Sequence, residues 1–322
     1  MPWDESDSAR IGVPVSLFIV AVSTLLWYWP RPPPTFLSNG DRKTAKIVEV
    51  REVSHDTKRF RLSLGSKEFV LGLPVGNHIL LHAPNPPKCL TSHKWNGGDD
   101  PDRGKVEIER RYTPITGDDV SGYTDILVKI YRPGTHRMPG GEEKSFEDGG
   151  KMGMYLDNMR PGDFIDISGP LGNVEYLAGG YFKLSNRTLQ KSHVAMIAGG
   201  SGITPMLQIL RAALRDRRAG GSTSYTLLYA NKAEGDILCQ DLLQDLEQES
   251  KGSLRITYAL EVPPPQWKGK VGLVSAAMLR ESIPPASRSP LLMMCGPEAM
   301  VEKACKPNLE ALGHKRQDMV VF

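Results

Sequence analysis

The chain has 322 residues, 40% hydrophobic and 24% charged, too long for one small module and apolar enough for ordinary globular cores, so two domains are expected. Forty Lys and Arg against 37 Asp and Glu leave a formal charge of +3, too slight, without a basic stripe interleaved with aromatics, for nucleic acid as the main ligand. Cys89, Cys239, Cys295 and Cys305 are scattered with no C-x-x-C pair, which argues against a zinc ribbon or a disulfide framework and fits a reducing compartment.

Residues 11–30 (IGVPVSLFIVAVSTLLWYWP) carry no charge. Twenty such residues can cross a hydrocarbon core about 30 Å thick, and Trp27, Tyr28 and Trp29 close the run where amphipathic rings favour the interface. Asp4, Glu5 and Asp7 precede it and Arg31, Arg42, Lys43 and Lys46 follow, which predicts a cytosolic body. The alternatives are a buried hydrophobic helix, or an anchor in one leaflet shortened by Gly12 and Pro14. Pro30 to Pro34 then reads as a stiff spacer.

From Lys46 to about Tyr181 the segments KIVEVREV, KRFRLSL, HILLHA, KVEIERRY and DILVKIY read as short strands between Gly, Pro and Asp clusters, predicting an antiparallel β-barrel. Ser92–Gly104 and Gly140–Gly149 are expected to be solvated loops, and Met152–Met159 a helix. After His193 strands alternate with helices: VAMIAGG, TPMLQILRAALRDRR, YTLLYAN, ILCQDLLQDLEQES, LRITYALEV, and on to DMVVF. This predicts an α/β domain with a parallel sheet. The expected domain limits are 1–34 for anchor and linker, 35–183 for the barrel, 184–192 for a linker, and 193–322 for the nucleotide half.

Gly199-Gly200-Ser201-Gly202-Ile203-Thr204-Pro205 follows an apolar strand and opens a helix. Glycines let the backbone approach a pyrophosphate, with Thr204 as a good N-cap and Pro205 suited to the first helical position. A plain strand-to-helix turn would look the same. A second turn, Cys295-Gly296-Pro297, ends another strand, and both would lie where open α/β sheets bind ligands. A buried Cys is by itself a small hydrophobe. Asp236, after YTLLYAN, can accept from ribose hydroxyls and repel a 2′-phosphate, or cap the next helix, or both. In the barrel half, Arg110 can grip a diphosphate. Tyr112 shares its face and can stack on a flat ring, and the hydroxyls of Thr113 and Thr116 can meet a flavin edge. The same residues also read as an amphipathic strand end. Gly149, Gly150, Lys151 and Met152 offer further backbone donors.

SHDTKRF, VLGLPVGNHI, RRYTPIT, VKIY, GGKM, MIAGGSGITPMLQ and MCGPEAM occur in this order between about Lys46 and Phe322. In them the chain resembles the membrane-anchored NADH–cytochrome b5 reductase family of ferredoxin-reductase-like flavoenzymes. The resemblance implies FAD in the barrel, with Arg110, Tyr112 and Thr113 at the pyrophosphate and isoalloxazine. Leu127, Lys129, Lys151, Met152 and Gly153 match further FAD positions, and Thr204 reaches the flavin from the second domain. It lays NADH across Gly200, Gly202, Asp236, Cys295, Gly296 and Pro297, with Thr113 and Cys295 nearest the hydride path. Electrons would pass singly to cytochrome b5 or a similar haem protein, steered by Lys151 with Lys43, Lys46 and Lys183. The protein is expected to be a monomer on the endoplasmic reticulum or the mitochondrial outer membrane. Three features depart from the family: Gly153 stands where a Ser is frequent, AGGY at 178–181 lacks a lysine pair, and the 92–104 insertion is long. Two other readings stay open. A flavin-free nicotinamide-dependent dehydrogenase would need a Tyr-x-x-x-Lys pair after the glycine loop, which is not found. A non-enzymatic, membrane-tethered nucleotide sensor would need no flavin at all.

Overall fold

Alternating apolar and polar residues build the first half. The computed structural model describes residues 32–38, 40–218 and 221–322. The apolar run at 11–30 lies outside them, and no helix among the described residues is long and apolar enough to cross a membrane. Residues 35–322 form a unit separate from 1–34. Strands β1 (Arg42–Ser54), β2 (Thr57–Ser63), β3 (His78–Pro84), β4 (Glu107–Tyr112), β5 (Tyr123–Lys129) and β6 (Phe164–Leu171) make one sheet in the order β4-β3-β6-β1-β2-β5. Every pairing is antiparallel. Ile47, Phe60, Leu62, Ile79, Leu81, Ile108, Ile126 and Ile167 are buried on its inner face, the period-2 burial that alternation dictates.

The sheet's two outer strands are tied by the chain leaving β4. Ile115 N donates to Asp125 O (2.9 Å) and Asp125 N to Thr116 Oγ1 (3.1 Å). Helix α1 (Lys151–Asp157) places Met152 and Leu156 in the barrel core. The expected linker at 184–192 is instead largely sheet. β7 (Val174–Ala178), β8 (Tyr181–Leu184) and β9 (Arg187–Gln190) pair in that order, with Phe182 opposite Leu189. Their inward apolar residues are separated by charged ones, so the local composition resembles a loop.

In the second half, β10 (His193–Gly199), β11 (Ser224–Asn231), β12 (Leu254–Leu260), β13 (Lys270–Val271), β14 (Leu291–Cys295) and β15 (Met319–Val321) form a parallel sheet. Its order is β13-β12-β11-β10-β14-β15. Chain order reverses between β10 and β14, the switch point at which open α/β sheets leave a crevice. Helices α2 (Ile203–Arg218), α3 (Gln240–Glu249), α4 (Ala276–Ser282) and α5 (Lys306–Ala311) complete it.

The halves share a core. Ile115 and Leu127 of the barrel are buried in one cluster with Ile203, Met206, Leu207 and Leu210 of α2. Polar contacts reinforce it: Gly76 N donates to Gln208 Oε1 (2.6 Å), Arg211 Nη1 donates to Ile115 O (2.9 Å), and Arg211 and Arg215 both reach Asp119. Leu127→Ala is therefore expected to destabilise by about 2–5 kcal/mol, with the wild type and the variant each unfolding in a single transition. Separate transitions of the two halves in a denaturant titration, or a loss below about 0.5 kcal/mol, would contradict a shared core.

Candidate functional site

The two glycine turns at the switch point lock into each other. A Cβ on Gly202 would stand 2.2 Å from Cys295 O, so only glycine lets the turn after β10 reach the end of β14. Gly200 has φ +53° and nothing within 4 Å of a would-be Cβ, leaving its backbone open to a ligand. Tyr229, fully buried, donates its phenol to Gly200 O (3.0 Å) and accepts from Leu238 N (3.2 Å), fixing the turn from below. The helix begins at Ile203, so Thr204 is not the N-cap; its hydroxyl donates to Ser201 O (3.2 Å). Pro297 and Met300 both close on Gly199, where a Cβ would stand 2.9 Å from Pro297 Cδ and from Met300 Sδ. Burial pushes the Cys295 thiol up to about 11. It is protonated at neutral pH, which leaves no resting thiolate nucleophile here.

Polar atoms near these turns lack partners inside the protein. Asn231, the last residue of β11, buries both amide atoms without a hydrogen bond, and Tyr258 does so with its phenol. Buried polar groups are normally paired, so these orphans fit a bound dinucleotide. An open cleft of about 700 Å³ lies nearby, lined by Glu234, Gln240, Gln244, Tyr258 and Trp267 among others.

On the barrel side, Arg110 stands opposite Leu81 and Tyr112 opposite Ile79 in the strand register, so both side chains share the inner face. Burial pushes the Tyr112 phenol well above its ordinary value, against the opposing effect of Arg110. Thr113 is half-buried. Thr116 cannot serve a flavin edge as expected: its buried hydroxyl accepts from Asp125 N and pairs with Thr124 Oγ1 (2.9 Å), closing the sheet. Gly150 likewise donates its N–H to Tyr131 O (2.8 Å) instead of holding it free. Gly153 lies against the end of β5, where a Cβ would sit 3.3 Å from Lys129 O. Leu127 faces the shared core described above.

Two cations have unforeseen partners. The 92–104 segment is mostly exposed, as expected of a solvated loop, but its Asp100 and Asp102 are buried. Lys151 Nζ bonds Asp100 Oδ1 at 2.6 Å, with side-chain exposures of 3% and 0%, so Lys151 is withdrawn from the surface where it was expected to meet a haem protein. Arg110, 39% exposed, pairs with Asp102 at 6%. Burial alone would raise both carboxyl groups, but Lys151 beside Asp100 and Arg110 beside Asp102 hold them below their ordinary range.

Where the halves meet, Lys129 Nζ pairs with Asp56 Oδ2 (2.7 Å) and stands 4.0 Å from Asp236 Oδ1. His55 Nε2 lies 3.9 Å from the same oxygen. The other oxygen of Asp236 accepts from Ala233 N (3.1 Å), so this carboxylate both caps its turn and faces the barrel. β5 also runs beside the Gly200–Gly202 turn. The structure thus brings Leu127, Lys129, Gly200, Gly202, Thr204, Asp236 and Cys295 to one seam between the halves. Arg110, Tyr112, Lys151 and Met152 gather at the barrel's β4 and α1. Sequence reasoning missed Asp100, Asp102, Tyr229 and Asn231. Tyr229 did leave a signal, as a phenol following the apolar pair Leu227-Leu228 in the parallel strand.

Comparison with known proteins agrees with this geometry. Residues 44–176 match the family described as oxidoreductase FAD-binding domain, and 196–306 match the oxidoreductase NAD-binding domain. NADH-cytochrome b5 reductase 2 of Danio rerio is 42% identical over 282 residues, covering 86% of this chain and 82% of that one. NADH-cytochrome b5 reductase 3 of Rattus norvegicus is 37% identical over 90% of each. The cytochrome b5 reductase domain of Ulva prolifera nitrate reductase superposes with a TM-score of 0.75 at 31% identity, covering 89% of this chain and 99% of that one. With an FAD-binding half, an NAD-binding half and relatives of this identity along most of its length, the chain belongs to the NADH-cytochrome b5 reductase family.

Proposed function

We propose that this chain takes a hydride from NADH onto FAD and passes the two electrons, one at a time, to cytochrome b5 or a similar haem protein. The observation that carries the reading is the seam itself: the open backbone of Gly200 lies beside β5, with α2 anchored to both halves. FAD supplies the conversion from two-electron to one-electron chemistry. The protein's work is placement. Arg110 binds the diphosphate, Tyr112 lies along the ring system, and Thr113 and Cys295 flank the path between the two rings. Gly200 and Gly202 admit the nicotinamide dinucleotide to the crevice, where Asn231 offers unused donors and acceptors. Burial of the seam excludes water. The purified protein is expected to be yellow, to bleach on anaerobic addition of NADH, and to recover its absorption on mixing with ferric cytochrome b5. A colourless protein, or a flavin that NADH leaves oxidised, would refute the proposal.

Asp236 is assigned to the adenosine ribose, where its carboxylate disfavours a 2′-phosphate. With that carboxylate removed, His55 and Lys129 would remain to face the phosphate. NADH should exceed NADPH in kcat/KM by at least about a hundredfold, in line with the few kcal/mol that an unpaired buried charge costs. Asp236→Thr should narrow the ratio to roughly tenfold or less. Steady-state kinetics with both cofactors decide it, and equal use by the wild type would dismiss the assignment.

We further infer that residues 11–30 anchor the enzyme to the endoplasmic reticulum or outer mitochondrial membrane, with the catalytic body in the cytosol. The charge-free run, its aromatic end and the basic residues after it support this. The domain limits follow, with the anchor and spacer ending at residue 34, the FAD half before the NADH half, and residues 184–192 joining them as β-structure. A protein lacking residues 1–34 is expected to remain soluble and flavin-loaded while losing membrane association in flotation assays. Unchanged flotation would place the anchor elsewhere.

A further inference from the structure

The 92–104 insertion carries carboxylates to Arg110 and Lys151, two of the three cations that the resemblance assigns to the flavin, and its attachment is extensive. Trp95 Nε1 and Asn96 Nδ2 both donate to Gly149 O (2.8 and 3.0 Å). Asn96 and Asp148 exchange two bonds, from Asn96 N to Asp148 Oδ2 (2.9 Å) and from Asp148 N to Asn96 Oδ1 (2.8 Å). Buried Asn85 donates to Asp102 O (2.8 Å) and Lys105 O (2.9 Å). The insertion is therefore fixed at the tip and at the base.

Inside this frame the charges are ordered. Asp100 Oδ1 accepts from Lys151 Nζ (2.6 Å) and from Asp102 N (3.0 Å), while Asp100 Oδ2 is buried without a hydrogen bond. Lys151 also stands 3.6 Å from Asp102 Oδ2. A dry carboxylate left partly unsatisfied persists only with a counter-ion beside it, so Lys151 holds Asp100, and Asp100 holds the backbone of Asp102. Asp102 then meets Arg110 end-on: Oδ2 takes Nη2 and Oδ1 faces Nη1 at 3.5 Å, while Nη1 also donates to Glu109 O (2.8 Å). The guanidinium has five N–H donors. An end-on grip leaves the Nε–H and the second Nη2–H, its other two-pronged edge, and Arg110 is the exposed member of the pair.

We propose that Asp102 is a positioning residue for flavin binding: it clamps Arg110 end-on and thereby presents the Nε/Nη2 edge to the FAD diphosphate. The proposal rests on the flavin reading above. Its physical basis is charge balance. Asp100 and Asp102 offset two of the three positive charges of Lys151, Arg110 and Lys105, whose Nζ lies 3.4 Å from Asp102 Oδ1, so diphosphate recognition depends on the direction of the guanidinium donors more than on bulk attraction. An arginine already fixed loses less freedom when the ligand arrives.

The test follows FAD release from the full-length holoenzyme by the rise in flavin fluorescence after dilution. Asp102→Ala should release FAD about tenfold faster. Asp102→Asn, which keeps an acceptor oxygen without the charge, should stay within about threefold of the wild type. In an Arg110→Ala background, itself faster by tenfold or more, Asp102→Ala should add nothing, because Asp102 acts only through Arg110. Should Asp102→Ala not fold, Asp102→Ser shortens the acceptor with less burial penalty and serves in the same cycle. Wild-type retention by Arg110→Ala would refute the flavin assignment itself. A fast Arg110→Ala with an unaltered Asp102→Ala, additive effects in the double variant, or slower release from both Asp102 variants would each overturn the positioning role. In the last case the carboxylate would be competing with the diphosphate.

Discussion

Helix α2 is the constraint on which the rest of the molecule depends. The glycine loop runs directly into its first turn, its apolar side completes a core with Ile115 and Leu127 of the barrel, and Gln208 and Arg211 bond barrel backbone at Gly76 and Ile115. Interfaces between domains of one chain are ordinarily polar and permit relative motion. Here the contact is a continuation of a hydrophobic core, so the position of Gly200 relative to β5 is set by packing. Ring-to-ring hydride transfer is sensitive to errors near an ångström, and such packing supplies that accuracy without any acid or base.

The features legible in the sequence were those with a local signature. The five barrel strands announced themselves by alternation, and the parallel strands by short apolar runs buried on both faces. The two glycine turns stood out by position, at strand ends. What escaped was non-local. Thr116 and Gly150 carry suitable groups for a cofactor, but partners at Asp125, Thr124 and Tyr131 claim them. The sixth strand is interrupted by Gly169-Pro170 and the β8–β9 hairpin by charged residues, so their periodicity is short and weak.

The 92–104 insertion shows the limit most sharply. SHKWNGGDDPDRG has the composition of a solvated loop, and nothing within it tells Asp100 and Asp102 from surface acids. Their burial is decided by Lys151 and Arg110, which lie on α1 and β4. Because each carboxylate needs its cation to be buried at all, the insertion, the start of α1 and the inner face of β4 form one unit. That also removes Lys151 from any role in attracting an acidic partner. Lys183 lies 3.7 Å from Glu175, and Lys43, opposite the buried Ile167, is half-buried, which leaves Lys46, exposed on the outer face of β1, as the freest cation of the group first considered.

The second insertion acts at the other end of the seam. Residues Gly134–Arg137 and Glu143–Phe146 form a hairpin whose base is an aromatic cluster, with Tyr131 stacked on Phe146 at 5.5 Å and His136 against both edges. Its tip crosses to the nucleotide half: Gly140 N donates to Glu261 Oε2 (3.0 Å), and Lys232 bonds Arg137 O. These are exposed contacts, individually worth little, but they add a second attachment far along the chain from α2. A body fixed at one interface can hinge about it, whereas a body fixed at two must break one of them to open. The hairpin tip is the weaker attachment, because its contacts are exposed while α2 lies in a buried core.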